Sequence, residues 1–164
     1  MKKAALAFII PLLILCSCVK GGGGTVPDTV TPSGIIDKVY EAIPEGSETA
    51  GYIPQVTTKE ITPENERYFL GIEGVRYVSG AASEGIVQPL TYSFCVVIFD
   101  PGCDYDGQRI LIEQNVNRSK WVCASAEEAL VVRYRNSAAV IMGTKKVCAE
   151  LETAFLSVMK AVSD

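Results

Sequence analysis

Histidine, the commonest general base, is missing altogether from the 164-residue chain. Its absence removes Ser-His-Asp and Cys-His catalysis, the H-E-x-x-H zinc site and any histidine-based pH switch. The serine contexts supply no replacement. Ala81-Ala82-Ser83-Glu84-Gly85 has the outline of a nucleophile elbow, but it lacks the first glycine and any base for Ser83, and it reads as a loop. Ser157-Val158-Met159-Lys160 matches S-x-x-K by letters alone, near the end of a terminal helix and without a companion motif. Asp100, Asp104 and Asp106 stand close together, as calcium ligands do. Counted from Asp104, however, the chain has neither the glycine at loop position 6 nor the glutamate at position 12. Turn formation and helix capping account for all three aspartates, so no metal and no cofactor is expected. Paired carboxylates or a lysine can still serve a histidine-free enzyme, but no spacing singles out such a pair, and the expectation is a protein that is not an enzyme.

The six cysteines carry more information. Leu15-Cys16-Ser17-Cys18 closes the first apolar run with an apolar residue at −3, a small residue at −1 and a cysteine, the pattern of a bacterial lipobox. Cys16 would have the bulky Leu15 at −1 and fits less well, so Cys18 is the expected lipidation site. Lys2 and Lys3 followed by the short apolar run Ala4 to Leu15 make a signal peptide; a membrane-spanning helix takes roughly 20 apolar residues. The remaining cysteines, Cys95, Cys103, Cys123 and Cys148, follow neither the C-x2-C spacing of a zinc ribbon nor that of a redox pair. An even number outside the cytoplasm makes them disulfide candidates in three possible connectivities, with at least one bridge expected and Cys148 foremost.

The elements that must position these residues follow from pattern. Residues 1–17 are the signal peptide, and 18–34 are the lipidated cysteine plus a Gly/Pro/Thr-rich tether whose root-mean-square span is on the order of 20–25 Å. A single domain, 35–164, comes after it. Ser33 is placed to cap a helix carrying Ile35, Ile36, Val39 and Ile43 and ended by Pro44. Residues 44–60 look irregular, and Thr62-Pro63 opens a short helix. Gly74 to Val78 and the β-prone run Leu90 to Phe99 read as strands, the second one central. Asp104 or Asp106 caps a helix reaching Val116, and Trp121-Val122-Cys123 begins a strand. A hairpin spans 130–142, and the helix bearing Val147, Leu151, Phe155, Val158 and Val162 ends the chain, with Thr144 as its cap. Helices alternating with strands that can pair antiparallel predict an α+β fold: a single antiparallel or mixed sheet with helices mainly on one face.

The segments ENERYFLGI, AASEG, QNVNRSKWVC and AAVIMG resemble, in their order, a family of uncharacterised lipoproteins from Gram-positive anaerobes. The resemblance runs from about Glu64 to Ala161. Gly85 stands where the loop of that family often has proline, and Cys95, Cys103 and Cys148 look like additions to its pattern. It implies an envelope lipoprotein and brings no catalytic or binding residue with it.

The net charge of −4 becomes more negative once Lys2 and Lys3 leave, which argues against nucleic acid and against electrostatic docking on anionic lipid. The expected partners are the membrane, through the lipid, and an envelope protein. Two function classes remain: a non-catalytic, lipid-anchored accessory or interaction module of the cell membrane facing the extracytoplasmic side, and a small-solute-binding lipoprotein.

Overall fold

A computed structural model describes residues 25–163 except 28, 88 and 89. The expected signal peptide, Cys18 and the first part of the tether lie outside the described residues. In chain order the elements are α1 (Pro32–Ala42), α2 (Glu48–Tyr52), a 3-10 turn (Ile53–Gln55), β1 (Val56–Glu60), α3 (Glu66–Leu70), β2 (Tyr77–Gly85), β3 (Ser93–Phe99), α4 (Tyr105–Asn115), β4 (Glu128–Tyr134), β5 (Ser137–Gly143) and α5 (Lys145–Ala161). The strands form one 5-stranded sheet in the order β1-β2-β3-β5-β4, and every pair is antiparallel. The chain leaves β3, passes through α4 to the edge strand β4, and turns back so that β5 fills the place between them.

The expected α+β fold with a single antiparallel sheet is therefore the observed one. On the first face α1, α2 and α5 cover Ala81, Phe94, Val96, Ala139 and Ile141. Leu151 and Phe155 of α5 are fully buried there, each stabilising the fold by roughly 1.5–3 kcal/mol through apolar area removed from water. On the second face Ala82, Cys95, Val97, Val140 and Met142 pack under Phe69 of α3, Ile112 of α4 and Trp121. Strands β3 and β5 are buried along their whole length because both faces are covered.

Caps explain where the helices begin. The side chains of Thr31, Asp104 and Thr144 accept from the backbone N–H groups of Gly34, Gly107 and Val147, starting α1, α4 and α5. Thr31, rather than Ser33, caps α1, because Pro32 takes the first helical position, where its missing N–H is not needed.

Four expectations are corrected. Ala81-Ala82-Ser83-Glu84-Gly85 is no loop but the second half of β2, paired on both sides. Its small residues are weak strand formers, yet they let neighbours close in. A Cβ on Gly80 would stand 3.0 Å from the Ile61 Cβ, so a side chain there would push Ile61 away from the strand. The segment 44–60 is ordered into α2, the 3-10 turn and β1, with Ser47 capping α2. The Thr62-Pro63 start is a turn that precedes α3, whose first helical residue is Glu66. Finally, the fold begins before Ile35. Val26 is buried, its N–H donates to Asn136 Oδ1 at 2.7 Å, and Pro32 is buried as well.

Candidate functional site

Register places the chemistry. Glu84 of β2 lies directly across from Ser93 of β3. Side chains alternate along a strand, so Glu84 shares the second face with Ala82, and Ser93 shares it with Cys95. A carboxylate on that face has to find a partner or leave the core, and the partner is Lys120 from the loop between α4 and β4. Its Nζ stands 2.7 Å from Glu84 Oε1 and donates to Ser93 Oγ at 3.0 Å. The two charged side chains are only 3% and 9% exposed. Three rings complete the enclosure, with centroids 4.3 Å (Tyr68), 4.9 Å (Phe69) and 5.1 Å (Trp121) from the ammonium. Cations favour the faces of such rings.

The insertion of Lys120 shapes the loop around it. Ser119 and Ser125 join hydroxyls at 2.8 Å, the Ala126 N–H donates to the Arg118 carbonyl, and Trp121 bridges Ala124. The chain doubles back at Cys123, whose φ is 59°, so the strand expected at Trp121-Val122-Cys123 is a tight turn. Lys120 is pulled inward while Val122 is turned out to 80% exposure.

Ser93 beside Lys120 has the composition of a serine–lysine nucleophile, but the arrangement opposes that chemistry. The lysine is engaged by Glu84, and Ser93 is fully buried beneath the loop, out of reach of a substrate. The neighbouring Tyr68 hydroxyl is pushed up to about 12 by burial and by the Glu84 carboxylate. Burial likewise raises the Cys95 thiol, partly countered by Lys120.

All four candidate cysteines of the domain are free thiols. No bridge joins them in this structure, and the sheet stands between Cys95 and Cys148. Cys95 lies on the second face of the sheet and Cys148 on the first, where its thiol approaches the Glu128 and Ile141 carbonyls. Cys103 follows the end of β3, and Cys123 is exposed at the turn near the start of β4, toward the opposite end of the sheet. The aspartates also part company. Asp104 caps α4, Asp106 pairs with Arg133 at 2.7 Å and Asp100 with Arg76 at 2.6 Å. Among the described residues no three His, Cys, Asp or Glu side chains converge on one point.

A second feature lies at the opposite end of the sheet, where the described chain begins. A groove of about 600 Å³ runs between residues 25–27 and 30–33, the end of β1, the first half of β2, and Asn136. Its walls mix Val26, Val30 and Ile98 with Thr58, Glu60 and Ser79. Among the described residues no helix is long and apolar enough to cross a membrane.

No protein-family model, curated protein or solved structure matches this chain. The site therefore rests on its own geometry. Sequence reasoning missed Glu84, Ser93 and Lys120 because the three are brought together only by the register of β2 with β3 and by one loop. The available signal was Glu84 at the end of a run of small residues flanked by strands, a charge with no local partner.

Proposed function

We propose that the chain is a lipid-anchored, non-catalytic contact module of the cell envelope, held by Cys18 with its domain on the extracytoplasmic side. The observation that carries this reading is the placement of its exposed apolar side chains. Ile86 and Val87, in the β2–β3 loop, are 62% and 66% exposed, and Val122 is more exposed still. The strand register puts both loops at one end of the sheet, since Glu84 pairs with Ser93, Ser93 with Met142, and Glu128 with Gly143. The chain enters the fold at the other end, through Val26 and Asn136. From Cys18 to Thr25 the backbone spans at most ~25 Å at ~3.6 Å per residue. A lipid on Cys18 thus keeps the entry end near the bilayer and leaves the Ile86, Val87 and Val122 end free to meet a partner. Exposed apolar side chains gathered at one end of a domain mark a contact surface; Val78, at the entry end, is exposed as well.

Photo-cross-linkers at positions 87 and 122 in intact cells test the reading. It expects one recurrent envelope protein to be captured from both positions and not from position 41, on the outer side of α1. Capture from position 41 alone, or from none, contradicts it.

The groove at the entry end favours a second reading, a small-solute-binding lipoprotein. Its volume lies within the usual range for ligand sites, roughly 300–1,000 Å³. That reading expects a metabolite-dependent rise in unfolding midpoint which is lost when Ser79 and Thr58 are replaced by valine, and no dependence on Val87 or Val122.

A further inference from the structure

The box around Lys120 has the make-up of an ammonium receptor. Three rings stand around one cation, a carboxylate supplies the opposite charge beside it, and a hydroxyl accepts its hydrogen bond. Two observations distinguish it from an ordinary buried ion pair. First, the loop that delivers Lys120 is held under strain: Cys123 occupies a left-handed backbone conformation, and the buried Trp121 Nε1 has no hydrogen-bond partner among the described residues. Val122, between them, contributes almost no burial in return. Second, one wall of the box, Tyr68, is 41% exposed, so the ammonium is separated from solvent on that side by a single ring.

We propose that this box is a binding site for primary alkylammonium groups which the chain closes with its own Lys120, and that a lysine side chain of a protein partner competes for it. The resident group defines the ligand class, because a second lysine presents the same ammonium on the same kind of stem. Entry of the competitor releases Lys120 and the strained turn at Cys123 together. The orphaned Trp121 N–H regains access to water in the same step. This rests on the contact reading only for the identity of the partner; the amine site itself belongs to the isolated chain.

The test uses the full chain in detergent with Lys120→Ala, and n-propylammonium chloride as the probe, the fragment removed by that substitution. The unfolding midpoint should rise by about 4 °C at tenfold excess over the probe's dissociation constant. Sodium chloride and tetramethylammonium chloride at equal concentration should not reproduce the rise, and Lys120→Ala combined with Glu84→Gln should abolish it. Equal midpoints with propylammonium and sodium overturn the proposal while leaving the contact reading untouched. Should Lys120→Ala not fold, the wild-type chain decides. Propylammonium should speed alkylation of Cys95, which lies beside Ser93 under the loop, several-fold without changing the rate at Cys148 on the other face. Equal rates with and without the amine, or a parallel rise at both thiols, overturn it.

Discussion

Lys120 and Glu84 meet at 2.7 Å in the interior although a strand, a helix and the loops joining them lie between the two along the chain. A pair so placed is costly to form and more costly to break, because removal of one partner strands the other charge away from water. Lys120→Met and Glu84→Leu should each destabilise the domain by about 3–5 kcal/mol, read as a lower urea midpoint. The double replacement should recover most of that loss, since it leaves no unpaired charge. Additive losses in the double variant would show that the pair does not act as a unit.

The link from Val26 to Asn136 makes a second prediction. Asn136→Ala leaves the buried Val26 N–H without its acceptor, at a cost of about 1–3 kcal/mol. A chain starting at residue 25 should melt well above one starting at residue 35, which lacks both Val26 and Pro32. Equal melting temperatures would mean that residues 25–34 lie outside the cooperative fold.

Thiol reactivity should follow exposure. Under native conditions an alkylating reagent should label Cys123 first, since it is exposed, and Cys103 more slowly, since burial raises that thiol. Cys95 and Cys148 should react only on unfolding. Mass spectrometry with and without reductant should show all four as free thiols; a mass loss reporting a bridge would contradict the geometry.

Alkaline pH should unmake the first-face core. Tyr40 and Cys148 are each pushed up to about 12, chiefly by burial, from ordinary values near 10 and 9. Tyr92, whose hydroxyl meets that of Tyr40 at 2.9 Å, is also raised well above its ordinary value, chiefly by burial. The folded state holds these protons more tightly than the unfolded chain does. The stability these three groups contribute should thus be constant below about pH 9 and be lost as pH climbs toward 12. Urea midpoints across that window check the sign; a rise would refute it.

The elements that sequence made legible are those whose signal is local. Thr144 followed by the Val147, Leu151, Phe155 and Val158 stripe marks α5, and the Asp104 cap marks α4, because capping and periodicity act within a few residues. The run through Phe94 and Val97 reads as a central strand because it is apolar on both faces. Strand β2 is legible only at Tyr77 and Val78, within the expected run Gly74 to Val78; Gly80, Ala81, Ala82 and Ser83 have little intrinsic strand preference, and pairing with β1 and β3 decides their conformation. The Lys120 site was hidden for a related reason, since its carboxylate, hydroxyl and ammonium come from three segments joined by tertiary register. Composition alone places Val26 in the tether, and only its distant acceptor Asn136 shows that it belongs to the fold.

Which end of the domain faces a partner depends on where the chain is held. Metabolic labelling with an alkyne fatty acid in cells expressing the wild type, Cys16→Ser and Cys18→Ser measures this directly. Two or more acyl chains anchor stably where one is marginal. The account predicts labelled, membrane-bound, processed protein for the wild type and for Cys16→Ser, and an unlabelled precursor for Cys18→Ser. Normal labelling of Cys18→Ser, or an unlabelled wild type released into the medium, would contradict it.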